Sequence, residues 1–354
     1  MDHPISFFLA FLLLALSSSI SPAAAVDAMS FERKTVTIIV GTGTGGSTDA
    51  SARLMGQFLA KHLPGNPTVV VQNRPGAYSL AAMTYFAQQV KPDGFTVAVG
   101  SIGQLDPVNY RVPQSGYDPA KFVMVGGLDL GGGFLIIRSD ALPRLTDKSQ
   151  PPVILGTPAG IPHSAMLPAA WGNAYLGWNV KWVTGFPSQT PALSLALQRG
   201  EVDMTGFSTS GLSGALLDRS KFMPIYQTGS EKCTRRSSLP ALQATPIFAE
   251  TMKGNISDPV AQKAFDHWCT SSSIVTWMAL PPSTPAAIAD IYRSAFSKIA
   301  EDPVFLEQAR IFSPDASATS YQSVTDTVQT LAQTSAEVFE FRQQMLQRQG
   351  LEMK

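Results

Sequence analysis

The most constraining feature of this 354-residue sequence is the stretch VTIIVGTGTGGSTD, from Val36 to Asp49. Its first five residues are apolar or β-branched, which is typical of a buried strand. Four glycines in the next six positions remove side chains from the turn that follows. Leu54, Phe58 and Leu59 then recur at helical spacing, so the turn leads into a helix that we expect to end near residue 63. A glycine loop at a helix N-terminus presents unpaired N–H groups, and such a place binds anions.

Strand and helix patterns alternate along the first half of the chain. Further strands are predicted at 68–71 and 95–99, with a helix at 80–90 between them. This order indicates an α/β domain built on a parallel sheet. In such sheets the loops gather at the carboxyl ends of the strands, and ligands bind there.

A second unit of the same kind is predicted from about residue 122. Strand patterns at 122–125 and 134–137 lie on either side of a run of three glycines, and the run at 153–156 opens into a loop of small residues, TPAGIPHS, that echoes the first loop. Since 354 residues exceed one compact core, we predict two α/β domains with facing loops. The C-terminal part is predicted to be helical and to include one long helix from Val324 to Met345.

The first 25 residues have the pattern of a secretory signal peptide. The apolar run at 5–16 is too short to span a bilayer, and it leads to Ala23-Ala24-Ala25, where we expect cleavage near Ala25. No Lys or Arg precedes the apolar run, which departs from the usual pattern. A buried N-terminal helix is the alternative interpretation.

Charge and cysteine usage narrow the function classes. The chain has 26 basic and 26 acidic residues, so no positive excess suggests nucleic acid as a partner. The two cysteines, Cys233 and Cys269, form either a disulfide or two separate buried thiols, and we favour the bond because an exported protein meets an oxidising compartment. Cysteines and histidines show no zinc spacing. We expect neither a metal nor a cofactor.

Two catalytic motifs are only partly matched. The loop GTGTGG at 41–46 fits the dinucleotide-binding fingerprint, but Gln72 and Asn73 stand where an acidic residue should bind the ribose. The stretch from Gly206 to Ser210 lacks the second glycine of a serine-hydrolase nucleophile elbow. No histidine has a flanking sequence that nominates it as a base. The sequence therefore favours binding over catalysis.

Longer motifs run in a fixed order along the chain. They are VTIIVGTGTGGSTDASARLMGQFLAKHL, VVVQNRPGAYSLAAM, KPDGFTVAVGS, GTPAG, LALQRGEVD, RRSSLPALQATPIFAETM and LPPSTPAAIADIYRSAFSKIAEDP. This set resembles the substrate-binding receptors of tripartite tricarboxylate transporters, the Bug-type periplasmic proteins. The resemblance covers nearly all of the chain after the signal peptide, which makes it more specific than any single motif. It implies an α/β, type II periplasmic binding protein fold, with two α/β domains around a central cleft.

The resemblance also implies a division of the chain and a function. The chain is expected to cross between domains near Val125 and Thr245, which gives a signal peptide at 1–25, one domain at 26–125 plus 246–354, and a second at 126–245. The implied function is that of a periplasmic, monomeric receptor that captures a small organic acid in the cleft and delivers it to the permease subunits of a tripartite tricarboxylate transporter. The alternatives are a receptor that feeds a sensor and an enzyme on the same scaffold.

By the same resemblance, backbone amides and hydroxyls hold the ligand carboxylate without a salt bridge. The implied ligand-binding residues are Thr44, Gly45, Gly46 and Asp49 in the first loop, Asn73, Gly76, Ala77 and Tyr78 in the second, Ser101 after the third strand, and Thr157 and Ser164 in the second domain. Asp49 would repel an anion. We therefore expect it to cap loop amides or to bind through water.

Several positions depart from the family pattern. The prolines usual in the first loop are absent, and Tyr78 adds bulk where the second loop usually continues with glycines. His163 could pair with a second ligand carboxylate or be an ordinary surface histidine. Phe186 and Ser188 replace a common Tyr-Lys pair, which removes a cation near the cleft. Asp203 matches a GxVD motif, and although it is a candidate we expect a structural role for it. Tyr78 and Phe186 favour a bulky or aromatic carboxylate, although core packing explains both equally well.

Overall fold

The structure is a computed structural model that describes residues 29–158, 160, 162, 164–186, 190–212, 214–272 and 274–351. The expected signal peptide lies outside these residues. No helix in the described ranges is long and apolar enough to cross a membrane. The strands are β1 Thr35–Val40, β2 Thr68–Asn73, β3 Thr96–Ser101, β4 Val123–Asp129, β5 Gly133–Arg138, β6 Val153–Gly156, β7 Val180–Val183, β8 Met204–Ser208, β9 Phe222–Gln227, β10 Thr276–Leu280 and β11 Ser317–Ser320. The helices are α1 Ser47–His62, α2 Leu80–Gln89, α3 Pro107–Tyr110, α4 Leu167–Tyr175, α5 Thr190–Arg199, α6 Phe248–Met252, α7 Pro259–Ser271, α8 Ala286–Glu301, α9 Pro303–Phe312, α10 Tyr321–Ala332 and α11 Ala336–Gln347.

The first sheet has six strands in the order β11-β4-β10-β3-β1-β2. As predicted, β1 runs parallel to both β2 and β3. The sheet as a whole is mixed rather than parallel, because β10 returns from later in the chain and pairs antiparallel with β3 and β4. Both faces are covered: successive residues Ile38 and Ile39 of β1 enter two different apolar cores, one against α1, α8 and α9 and one against α2 and α10. The carboxyl ends of β1, β2 and β3 therefore meet at one edge of this sheet.

The second sheet has five strands in the order β7-β6-β8-β5-β9. Strand β6 is parallel to β7 and β8, while β5 is antiparallel to β8 and β9. One large core covers this sheet with α4, α5, α6, α7 and α11, and it contains the buried rings of Trp171 and Trp268. Two mixed sheets with helices on their faces match the predicted two-unit α/β architecture.

The prediction of one long C-terminal helix, made from the apolar spacing, is wrong. The helix breaks after Ala332, and Ser335 caps a new one by accepting a hydrogen bond from the backbone N–H of Val338. The break has a packing reason. Residues of α10 such as Val328 belong to a core of the first sheet, whereas Val338 and Met345 of α11 belong to the core of the second. One straight helix cannot reach both.

Packing shows three places where the chain changes sheets. It passes from the first to the second between Asp129 and Gly133, returns between Ser271 and Thr276, and passes again at the break before α11. The domain limits implied by the resemblance stay a prediction. The packing of α7 and α11 favours grouping these helices with the second sheet.

The segment around the first passage is held by buried polar groups. Asp129 accepts hydrogen bonds from the N–H of Gly131 and from Arg235, at 2.9 and 3.2 Å. Burial raises the pKa of Asp129 to about 6, against the opposing effect of these two donors. Cys233 and Cys269 are joined by a disulfide, the alternative that we favoured from the sequence. It ties the segment after β9 to α7.

Candidate functional site

The first loop joins β1 to α1 and faces the second loop. Gly41 is in close contact with Ser79, because a Cβ at Gly41 would lie 2.5 Å from that of Ser79. Gly45 has a φ of 84°, which favours glycine. Gly46 is the N-cap of α1 and offers no side-chain oxygen to the helix. The N–H groups of the first turn, at Ser47 and Thr48, therefore lack a side-chain cap, and both residues line the space beside the loop.

Asp49 stabilises this first loop through hydrogen bonds. Its carboxylate accepts hydrogen bonds from the N–H of Gly45 at 2.9 Å, from the side chain of Asn73 at 2.9 Å, and from two nitrogens of Arg53 at 3.1 and 3.0 Å. Burial alone would raise the pKa of Asp49, but these donors outweigh burial and hold the pKa below its usual value. Asp49 thus caps a loop amide, one of the two roles expected for it.

Asn73 at the end of β2 connects the same network to the loop backbone. Its side-chain amide also donates to the carbonyl of Thr42 at 3.0 Å, and its oxygen accepts from Arg53 at 3.1 Å. The network therefore fixes the course of the first loop without using the N–H groups of Ser47 and Thr48.

The second loop follows β2 and has an unusual backbone. Ala77, Tyr78 and Ser79 have φ values of 44°, 54° and 72°, so three consecutive non-glycine residues are left-handed. Each such residue is unfavourable by roughly 1 kcal/mol, and strain of this kind is found at functional sites. The hydroxyl of Ser79 donates to the carbonyl of Gly41 at 3.0 Å. This bond connects the second loop to the first.

The end of β3 forms a third wall. Ser101 and Gln104 form a capping box, in which the side-chain oxygen of Gln104 accepts from the N–H and the hydroxyl of Ser101 at 2.6 and 3.1 Å. The chain then reaches Asp106, whose carboxylate caps α3 by accepting from the N–H of Val108. The N–H and the hydroxyl of Ser101 therefore form hydrogen bonds within their own turn.

Residues of the second sheet close the opposite side. Ser164 precedes α4, Phe186 follows β7, and Ser208 ends β8. All three line the same cavity as the loops of the first sheet, together with Gly131 and Gly132 between the sheets and Gly133 at the start of β5. The cavity has a volume of about 440 Å³. This is sufficient for a small organic molecule.

Seven of the candidate residues line this cavity: Gly46, Gly76, Ala77, Tyr78, Ser101, Ser164 and Phe186. Six others, Thr44, Gly45, Asp49, Asn73, Thr157 and Asp203, are not among its lining residues. Asp203 accepts from the N–H of Ile154 at 2.9 Å and pairs with Arg144 at 2.7 Å, which fits the structural role expected for it. His163 and Ser188 lie outside the described residues.

A buried ionic cluster in the cavity wall was not predicted from the sequence. Arg342 of α11 binds both carboxylate oxygens of Asp106, at 2.9 and 2.7 Å, and contacts the ring nitrogen Nδ1 of His267 at 2.9 Å. Burial opposes ionisation of Asp106, but Arg342 more than compensates and keeps its pKa low. Burial and the adjacent guanidinium lower the pKa of His267 to about 4.

One signal in the sequence marks this cluster. Arg342 lies four residues after Val338 and three before Met345, so it stands on the apolar face of α11. A charged residue in such a position is rarely buried unless it is paired. Its partner could not be found from the sequence, because Asp106 lies 236 residues away.

Comparisons with known proteins identify relatives of the same fold. No protein-family model matches the chain. Over 303 residues the chain is 26% identical to a UPF0065 protein of Bordetella pertussis, an alignment that covers 83% of this chain and 85% of that protein. The periplasmic binding protein BugD matches 90% of this chain and 98% of its own, with a TM-score of 0.63 and 21% identity.

Two structures of Rhodopseudomonas palustris proteins with bound ligands have the same fold. MatC, solved with malate, has a TM-score of 0.61 and 20% identity and covers 88% of this chain and 98% of its own. The second, solved with adipate, has a TM-score of 0.64 and 21% identity and covers 90% of this chain and 97% of its own. The predicted periplasmic binding protein fold is confirmed, and so is the resemblance to the Bug-type receptors.

Proposed function

We propose that this protein, which has the fold of the Bug-type solute-binding proteins, is a periplasmic receptor that holds a small organic carboxylate between its two sheets. One observation carries the proposal. A cavity of about 440 Å³ is lined from one side by the first turn of α1 and the second loop, and from the other by residues of the second sheet. The structural relatives solved with malate and adipate hold carboxylates on the same fold.

The first turn of α1 supplies the anion site. Ser47 and Thr48 line the cavity, their N–H groups have no side-chain cap, and the partial positive charge of a 16-residue helix lies behind them. Ser164 lies on the opposite wall. A carboxylate held this way needs no salt bridge, because amides and hydroxyls donate to its oxygens.

Ligand binding is expected to favour a closed arrangement of the two units. The segments that join the sheets include Gly131, Gly132 and Ile274, which line the cavity, so a change in the angle between the two units would alter the cavity wall. Contacts with both walls select the conformation in which both walls can reach the ligand. The protein acts by presenting this closed, loaded form to a membrane permease of the tripartite tricarboxylate type, and it catalyses no reaction.

Calorimetry and thermal-shift measurements with a panel of mono-, di- and tricarboxylates test the proposal. We expect at least one class to bind one molecule per chain and to raise the melting temperature, since ligand binding stabilises the folded state. If no carboxylate in any class binds, the proposal is wrong.

A pair of glycine variants locates the binding site. A Cβ at Gly46 would meet nothing within 4 Å, and its φ of −83° suits any residue, so Gly46→Leu should fold normally and fill the anion site. The control is Gly214→Leu, since Gly214 is exposed, has nothing within 4 Å of its Cβ position and does not line the cavity. We expect carboxylate affinity to fall at least about 100-fold in the first variant and to stay unchanged in the second.

The same variants separate a transport receptor from one that feeds a sensor. In cells that import the ligand, replacing the protein by Gly46→Leu should abolish uptake of labelled carboxylate, whereas Gly214→Leu should support it. Normal uptake together with a lost transcriptional response would favour the sensor alternative.

A further inference from the structure

We propose that Asp106 makes the cavity selective for carboxylates with one negative charge and an uncharged, mainly apolar body, because it cancels the charge of Arg342. This inference rests on the proposed function and names the ligand class of the same site. It concerns the part of the ligand that lies away from the helix N-terminus.

The charge balance of the cavity wall is the first observation. Among the described lining residues, the charged side chains are those of Asp106 and Arg342. They are joined by two hydrogen bonds in a bidentate pair, and their side chains are only 10% and 4% exposed. A guanidinium stays protonated, and Asp106 stays ionised beside it, so this part of the wall is electrically neutral.

The remaining hydrogen-bonding capacity of Arg342 is also limited. One of its terminal nitrogens contacts both Asp106 and the ring of His267, and the other donates to Asp106. His267 adds no positive charge at neutral pH, because burial lowers its pKa to about 4. A second ligand carboxylate would therefore meet a cation that is already paired.

No other described lining residue carries a charge that could replace that cation, although polar side chains such as Gln104, Asn109 and Ser271 also line the cavity. Apolar side chains line the cavity on several sides, namely Val108, Leu167, Phe186, Leu193, Phe207 and Leu346. A second carboxylate, buried among these side chains away from the helix N-terminus and without an unpaired cation, loses much of its hydration energy. An uncharged hydrocarbon body gains from the same burial. The described wall thus favours a ligand whose single charge sits at the helix N-terminus.

Capping alone does not explain the charge of Asp106. The residue caps α3 by accepting from the N–H of Val108, a role that serine or asparagine performs about equally well. An ionised carboxylate is needed only because Arg342 stands opposite. Asp106 is therefore a specificity-determining residue rather than a capping residue alone.

The test uses two pairs of probes with matched carbon skeletons. The first pair is hexanoate and adipate, and the second is cyclohexanecarboxylate and trans-cyclohexane-1,4-dicarboxylate. For each pair we measure the ratio of dissociation constants by calorimetry at neutral pH in the full-length mature protein. We expect the monocarboxylate to bind at least about tenfold tighter than the dicarboxylate.

Variants of the ion pair then test its role. Asp106→Asn leaves the charge of Arg342 unpaired and should shift the ratio toward the dicarboxylate at least about tenfold. The double variant D106N/R342Q is neutral again and should restore the preference for the monocarboxylate. Asp140→Asn removes the partner of Arg138 at an ion pair outside the cavity, and it should leave the ratio unchanged.

The outcomes separate this inference from the proposed function. Tighter binding of the dicarboxylates by the wild-type protein, or an unchanged ratio in Asp106→Asn, would overturn the inference and leave the receptor proposal standing. Failure of every carboxylate to bind would overturn both. Circular dichroism shows whether Asp106→Asn folds. If it does not, Asp106→Ser removes the same charge and keeps a capping oxygen. The ratio of dissociation constants in the wild-type protein tests the inference in either case.

Discussion

The two loops that line the proposed anion site reach their shapes in different ways. The first, from Gly41 to Gly46, uses glycine where the backbone is crowded or left-handed, and the Asp49 network holds it from behind. The second has left-handed conformations at Ala77, Tyr78 and Ser79, where glycine would be easier. The backbone of the first loop is thus relaxed and is held in place by the Asp49 network, whereas the backbone of the second loop is strained.

This difference suggests how the site is organised. A strained backbone persists only when its surroundings hold it, and the bond from Ser79 to the carbonyl of Gly41 makes the first loop part of those surroundings. The second loop can therefore keep its shape only while the first is in place. Three variants test this dependence.

The largest effect is expected from Gly41→Ala. The new Cβ would lie 2.5 Å from the Cβ and 3.1 Å from the Cα of Ser79, so the two loops must separate. We expect the free energy of unfolding to fall by about 1–3 kcal/mol and carboxylate binding to be lost, as measured by urea denaturation and calorimetry.

Two further variants control that experiment. Gly46→Ala adds the same methyl group where nothing lies within 4 Å, and it should leave stability nearly unchanged. The double variant G41A/S79G removes the opposing Cβ and should recover part of the lost stability. Equal stability losses in Gly41→Ala and Gly46→Ala would show that the loops do not depend on this contact.

An intermediate effect is expected from Asp49→Asn, which weakens the support of the first loop. Loss of the charge-assisted hydrogen bonds should lower the free energy of unfolding by about 1–2 kcal/mol at pH 7. Since the folded pKa of Asp49 lies below its ordinary value, its contribution is complete above the unfolded pKa of about 3.9 and is lost as the pH falls through the folded value.

The pH dependence gives the measurement. The stability difference between the wild type and Asp49→Asn should be constant from pH 7 to about 5 and shrink below about pH 4. Asp290→Asn removes an exposed carboxylate that pairs with Arg293 at 3.7 Å, and it should change stability little at any pH. A difference that persists unchanged to the lowest pH would contradict a role for the charge of Asp49.

The smallest effect is expected from Ala77→Gly in the second loop. Glycine relieves the positive φ of 44° at an exposed position, so we expect stability to rise by about 0.5–1 kcal/mol. Ala81→Gly makes the same change at an exposed site in α2, where it should lower stability by a similar amount. Effects of the same sign at both positions, in thermal or urea unfolding, would rule out strain in the second loop.

Local patterns were enough to predict the parts of the site that lie close together in sequence. The strand, glycine loop and helix around Gly46 occur as expected, because β-branched residues, glycines and helical spacing each act over a few residues. Asp49 caps Gly45 four residues away, which is also a local interaction. The colinear motifs predicted the fold, and the structural relatives confirm it.

Long-range packing was not accessible in the same way. The apolar spacing of α10 resumes in α11 at Val338 and Met345, and a local sign of the break is Ser335, a helix-capping residue type between the two helices. That break carries Arg342 to the second sheet and to Asp106, and neither residue was predicted from the sequence.

The amino-acid sequence by itself determined the α/β architecture, the glycine loop with its open helix N-terminus, and the resemblance to the Bug-type receptors. Only the tertiary structure decided which residues face the cavity, the passage of α11 to the second sheet and the pairing of Asp106 with Arg342. The reason is physical. Helix and strand formation depends on neighbours within a few positions, whereas the charge of a cavity depends on groups that only folding brings within hydrogen-bonding distance.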